Sequence, residues 1–123
     1  MLRILLVEDE PDIAFVASVA LEDAGYHVTL ASDGKEGLEL ALQDQPELVL
    51  TDFMMPRLTG LEMIARLRDA GFRNPVVLST SVPEVSLPPQ RPHYDAYLGK
   101  PYSIAQLLST VGAFHPPAEG RGR

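Results

Sequence analysis

The sequence predicts an α/β fold, a doubly wound parallel sheet of five strands with helices on both faces, and three observations carry that reading. Short apolar runs rich in Val and Leu recur at 3–7, 27–30, 47–51, 75–79 and 95–98, and strands buried on both faces read this way. Helical patterns stand between most of these runs, giving strand–helix units of about 20 to 25 residues. Charged residues follow three of the runs: Glu8 and Asp9, Asp52, and Lys100. In an open α/β sheet the carboxyl ends of all strands share one edge, so these groups should converge in a crevice there.

Taken in order, the first strand leads into a helix opened by Pro11, whose fixed φ suits a first helical turn; an apolar stripe of Ile13, Val16, Ala17 and Ala20 follows, and Gly25 ends it. The second strand, His27-Val-Thr-Leu30, alternates in polarity and is expected at an edge of the sheet. The second helix starts near Asp33-Gly34 and is expected to bury Leu38, Ala41 and Leu42, with Pro46 in the loop beyond. Thr59-x-x-Glu62 has the pattern of a capping box for a third helix with Leu61, Ile64 and Ala65 inward and Gly71 as its stop. Ser103 is the expected N-cap of the last helix, with Ile104, Leu107, Leu108 and Val111 on its apolar face.

One crossover breaks the regularity. Between the fourth and fifth strands stand Pro83, Pro88, Pro89 and Pro92, and a proline inside a helix costs about 3 kcal/mol. The helix expected there is short or absent, with a single turn at most.

At 123 residues the chain suits one domain, expected over 1–114, with 115–123 (His115-Pro-Pro-Ala-Glu-Gly-Arg-Gly-Arg123) as a disordered tail or linker remnant. No cysteine is present, which removes disulfides, thiol nucleophiles and Cys-ligated metals. No apolar stretch approaches the roughly 20 residues needed to span a bilayer, and no signal peptide precedes the first strand, so a cytoplasmic location without membrane contact is expected. The net charge of −7 argues against direct nucleic-acid binding by this chain, since a phosphate backbone calls for a concentrated basic patch. His27, His93 and His115 have no metal-ligand spacing.

The charged cluster has its own chemistry. Carboxylates a few ångströms apart repel by about 3 kcal/mol per pair at an effective dielectric of about 20, so Glu8, Asp9 and Asp52 call for a cation. A hard divalent ion taking oxygen ligands answers that, with Lys100 beside it; Mg²⁺ suits a site of one or two carboxylates and retained waters. Taken singly, each residue has a plainer reading: Glu8-Asp9-Glu10 as a helix N-terminus, Asp52 as a turn former, Lys100 as a solvated charge. Their coincidence at three strand ends favours a site. A carboxylate held beside a divalent cation and an ammonium is equipped to attack phosphorus and form an acyl phosphate.

At these residues the chain resembles the receiver domains of two-component response regulators, the CheY-like superfamily. Val7-Glu8-Asp9-Glu10 is similar to the family's acidic pair, and Asp52-Phe-Met-Met-Pro56 with Gly60 to its phosphoacceptor loop. Pro75-Val-Val-Leu-Ser-Thr80 is similar to the strand ending in the switch hydroxyl, and Tyr97-Leu-Gly-Lys100-Pro101 to the aromatic switch and lysine. The resemblance implies a flavodoxin-like sheet with strand order 2-1-3-4-5. It also implies that Asp52 accepts a phosphoryl group from a sensor histidine kinase or histidine phosphotransfer protein. Asp9, Asp52 and the Met54 carbonyl would ligate Mg²⁺, with Glu8 acting through water. Thr80 and Lys100 would each bond a phosphoryl oxygen, and Tyr97 would turn inward on activation. The implied function is a signalling switch regulating a protein target, as a monomer or weak homodimer, and not an enzyme in the ordinary sense. Lys100-Pro101 would be a cis peptide.

The chain departs from the family at Val82 to His93, where the Pro-rich segment stands in place of a regular helix; the usual output and dimerisation face is therefore in question. Ser81 is small enough to leave Asp52 accessible. Met54 and Val82 stand where the family tunes acyl-phosphate hydrolysis, and both orient water poorly, so a long-lived phosphoryl state is expected. Two alternatives compete. A phosphatase of the haloacid dehalogenase type would need a second acid two residues after Asp52, where Met54 stands. A pseudo-receiver would keep the fold as an interaction module without being phosphorylated.

Overall fold

The computed structural model describes residues 2–114; the expected tail at 115–123 lies outside them. Five strands, β1 (Arg3–Val7), β2 (His27–Ala31), β3 (Leu48–Thr51), β4 (Val76–Thr80) and β5 (Ala96–Gly99), form one parallel sheet in the order β2-β1-β3-β4-β5. This is the expected flavodoxin-like topology, and β2 is an edge strand as its alternation indicates. The helices are α1 (Pro11–Asp23), α2 (Gly34–Asp44), α3 (Gly60–Asp69) and α4 (Ile104–Gly112).

The period-two geometry of β1 divides the interior. Ile4 and Leu6 point to one face, where they pack with Leu21 of α1 and with Leu107 and Val111 of α4. Leu5 and Val7 point to the other, against Ala41 of α2 and Met63, Ile64 and Leu67 of α3. Buried apolar area stabilises by roughly 25 cal/mol per Å², so these two layers supply the bulk of the driving force.

The helix ends follow local chemistry. Pro11 opens α1. Asp33 caps α2 by accepting the Glu36 N–H. Thr59 with Glu62, and Ser103 with Gln106, form reciprocal capping boxes on α3 and α4. Gly25 and Gly71 take positive φ just beyond α1 and α3.

Three of the inward positions read from the sequence are corrected. Val16 is 54% exposed, Leu42 38% and Ile104 52%, while Ala14, Ser18, Gly37 and Met63 are buried instead. Small residues decide the first two cases. A Cβ on Gly37 would stand 2.8 Å from Val7, so α2 sits on the sheet through its glycine face and turns Leu42 outward. In α1 the stripe of Ala14, Ala17 and Ser18 makes the close approach and leaves Val16 at its margin. On α4, Leu107 and Val111 make the contact with the sheet and Ile104 stays outside it.

The crossover from β4 to β5 contains only one 3₁₀ turn, Glu84–Ser86. It is nonetheless anchored: Leu87 is buried in the α2–α3 layer, and the Tyr94 hydroxyl donates to Glu84 at 2.6 Å. Lys100-Pro101 is cis. Among the described residues no helix is long and apolar enough to cross a membrane.

Candidate functional site

The register of the sheet assembles the site. β1 and β3 pair through Val7 and Thr51, so the residues that follow, Glu8 and Asp52, emerge side by side. The Asp52 N–H donates to the Val7 carbonyl at 3.1 Å and the Glu8 N–H to the Ala31 carbonyl at 2.9 Å, which fixes both residues just past the ladder. β5 delivers Lys100, whose backbone N–H donates to the Thr80 carbonyl at 2.9 Å. The loop after Asp52 is drawn tight: the Gly60 N–H donates to the Phe53 carbonyl at 2.7 Å, and a Cβ on Gly60 would fall 1.9 Å from the Asp52 carbonyl oxygen.

Glu8, Asp9 and Asp52 each place one carboxylate oxygen within 4.8 Å of the others. The Lys100 ammonium lies between two of them, 2.6 Å from Glu8 Oε1 and 3.1 Å from Asp52 Oδ2. The second oxygen of Asp52 accepts the Phe53 N–H at 2.6 Å, and that of Glu8 accepts the Glu10 N–H at 3.2 Å. Burial pushes the Glu8 carboxyl above its ordinary range, aided by the Asp52 charge, and the opposing pull of Lys100 does not cancel it. Burial would lower the Lys100 ammonium, but Glu8 and Asp52 together raise it. Glu8 and Asp52 thus share one ammonium, with the Asp9 carboxylate beside them, and the remaining negative charge in a partly dry setting suits a divalent cation. The donors are all hard oxygens, so the set fits Mg²⁺.

Asp9, Asp52 and Lys100 line a cleft of about 770 Å³ together with Met54, Thr80, Ser81 and Tyr102, and Glu8 is buried behind Lys100. Thr80 is buried, and its Oγ1 accepts the Val82 N–H at 3.2 Å. Tyr97 lies outside this cleft. Its ring packs on the α2–α3 layer and its hydroxyl donates to the Val82 carbonyl. Tyr102 is an addition that the sequence reading missed; burial raises its phenol above the ordinary range, while Lys100 lowers it and Glu8 and Asp52 raise it. Its place immediately after Lys100-Pro101 was the available signal.

The family model for the response regulator receiver domain matches residues 4–112. The chain belongs to the response-regulator receiver family. This receiver is 41% identical over 115 residues to the uncharacterized transcriptional regulatory protein YkoG of Bacillus subtilis, covering 90% of this chain and 50% of that protein. It is 37% identical over 117 residues to the DNA-binding dual master transcriptional regulator RpaA of Synechocystis, covering 92% and 48%. The chain therefore spans about half the length of these curated relatives. Among solved structures, response regulator TrrA of Thermotoga maritima in complex with Mg²⁺ and BeF superposes with a TM-score of 0.82 at 28% identity, over 93% of this chain and 99% of that one.

One expectation is corrected by these relatives. The net charge argues against direct nucleic-acid binding by this chain, yet the receiver is similar to half of regulators of transcription, one of them named as DNA-binding. Net charge measured on the receiver portion describes that surface alone, and it carries no weight on DNA contacts made through the rest of such a regulator.

Proposed function

We propose that this receiver is a phosphorylation-dependent signalling switch. Asp52 takes a phosphoryl group from a phosphohistidine of a sensor histidine kinase or histidine phosphotransfer protein, in the cytoplasm, and the changed surface controls a transcriptional output. The transcriptional assignment is supported by the relatives. The single observation that carries the reading is the clustering of Glu8, Asp9 and Asp52 around the Lys100 ammonium at the carboxyl edge of the sheet.

In the reaction a carboxylate oxygen of Asp52 attacks phosphorus, the bond from phosphorus to the donor imidazole nitrogen breaks, and the imidazole leaves with the electron pair. Asp9, Asp52 and the Met54 carbonyl would hold Mg²⁺, with Glu8 acting through water, and the ion would neutralise phosphoryl oxygens. Lys100 shifts from Glu8 toward a phosphoryl oxygen, and Thr80 donates its hydroxyl to another. The chain acts on itself rather than on a separate substrate. Met54 and Val82, both apolar, leave an attacking water unoriented and favour a long-lived acyl phosphate.

The new group carries roughly −1.5 to −2 charges. Moving a two-state equilibrium from 1:99 to 99:1 takes about 5.5 kcal/mol, and a few charge-assisted bonds in a partly dry cleft are of that order. Thr80 is the link outward. When its hydroxyl turns to the phosphoryl group, the Val82 N–H loses a partner while Tyr97 still holds the Val82 carbonyl.

Incubation with Mg²⁺ and acetyl phosphate, read by intact mass, tests this. One phosphoryl group on the parent and none on Asp52→Asn is the expected result. No uptake by the folded parent would replace the switch with a phosphorylation-independent pseudo-receiver.

A further inference from the structure

The crossover that stands in place of a helix leaves a second cleft at the amino ends of β4 and β5, far from the phosphorylation site. It has a volume of about 760 Å³ and runs between the last turn of α3 and the Pro-rich segment. Arg68, Arg73 and Arg91 line it, in a chain whose net charge is −7.

The three arginines are not equivalent. Arg68 is fully engaged: it donates to the carbonyls of Phe72, Asn74 and His93 and pairs with Asp95 at 3.0 Å, clipping α3 to the start of β5. Arg73 and Arg91 are exposed, and neither has a carboxylate within ion-pair distance among the described residues. Arg73 donates through Nη1 to two carbonyls, those of Arg68 and Phe72. Arg91 donates through Nη1 to the Pro88 carbonyl and sits 5.6 Å from the Tyr94 ring centre, which holds its guanidinium in place while leaving other N–H groups available. Such guanidiniums are suited to paired hydrogen bonds with carboxylates.

We propose that this cleft docks an extended acidic segment of a partner protein, whose carboxylates meet Arg73 and Arg91. A continuous phosphate backbone fits less well, because Asp69 and Asp95 also line the cleft and would repel it, whereas spaced carboxylates avoid them. The docking does not depend on Asp52 accepting a phosphoryl group, so it stands or fails separately from the switch.

The probe is a fluorescein-labelled peptide with spaced carboxylates, Glu-Gly-Ser-Glu-Gly-Ser, followed by anisotropy at low and at physiological salt. The parent should bind, and Arg73→Glu with Arg91→Glu should weaken binding by at least about tenfold, the loss of one or two charge-assisted contacts. Arg73→Gln with Arg91→Gln should give the same direction if the charge reversals disturb folding, which a thermal melt will show. Lys35→Glu, on α2 outside the cleft, controls for bulk charge and should change binding less than about twofold. Absence of binding by the parent, an equal loss in Lys35→Glu, or tighter binding of a single-stranded oligothymidylate would each overturn the proposal.

Discussion

Tyr97 donates its phenol hydrogen to the carbonyl of Val82, while the N–H of the same Val82 donates to Thr80, so one residue of the crossover is held through both of its backbone polar groups. Tyr97→Phe removes one of these bonds and keeps the ring. A neutral hydrogen bond contributes about 1 kcal/mol net, so amide exchange over residues 82–87 should rise by up to about tenfold, with phosphoryl uptake unchanged. Exchange by mass spectrometry reads this directly; identical protection in the two proteins would remove Tyr97 from the coupling.

The crossover depends on one plug. Leu87 is 4% exposed within the α2–α3 layer, and Val85, two residues earlier, is 95% exposed. Leu87→Ala should cost about 2 to 3 kcal/mol in urea unfolding, by lost burial and the cavity left behind. Val85→Ala should stay within about 0.5 kcal/mol.

Removing the ammonium exposes the repulsion it relieves. Lys100→Ala leaves Glu8, Asp9 and Asp52 together without a fixed cation and should cost about 2 kcal/mol in metal-free buffer. Adding MgCl₂ should then raise the melting temperature of the variant more than that of the parent. Equal shifts would mean that the three acids do not form the ion's site.

Asp95 supplies a pH dependence. Burial alone would raise its carboxyl, but the Val76 N–H, His93 and Arg68 together hold it below its ordinary value of 3.8. A carboxyl depressed by folding stabilises fully above its unfolded value, and that contribution fades as pH falls through its folded value. Asp95→Asn should therefore be less stable than the parent at pH 7 by about 1 to 2 kcal/mol, and the gap in urea midpoints should narrow below about pH 4.

Two glycines separate close packing from chain freedom. A Cβ on Gly60 would collide with the Asp52 carbonyl oxygen, whereas one on Gly112 meets nothing within 4 Å. Gly60→Ala should destabilise by about 3 kcal/mol or more and disturb the loop after Asp52; Gly112→Ala should be neutral or stabilise by up to about 1 kcal/mol. Thermal melts of the two variants compare them in one experiment.

Features set by short-range chemistry were legible in the sequence. Pro11, the Thr59–Glu62 box and Ser103 announce helix starts through neighbouring residues alone, and the strand-end charges converge because topology leaves them no other edge. What failed was the choice of face at single positions, most plainly in α1, where polar and apolar sides contrast little. α1 is apolar nearly all round, and only its approach to the sheet through Ala14 and Ala17 shows that Val16 is left out. The same holds within the site: three acids near one lysine do not reveal that the ammonium sits closer to Glu8 than to Asp52, because that depends on side-chain reach across the sheet. The absent helix was legible from its prolines; the clip of Arg68 to Asp95 was not, since it joins distant segments.

Pro83, Pro88, Pro89 and Pro92 act on the denatured ensemble as well as on the native chain. Each restricts φ before folding begins, which lowers the conformational entropy lost on ordering by about 0.4 to 1 kcal/mol per residue wherever the native angles are compatible. The β4–β5 connection thereby reaches a defined shape without the ladder of backbone hydrogen bonds that a helix would supply. Its stiffness is a property of the covalent chain, so it persists in states where neighbouring contacts have loosened.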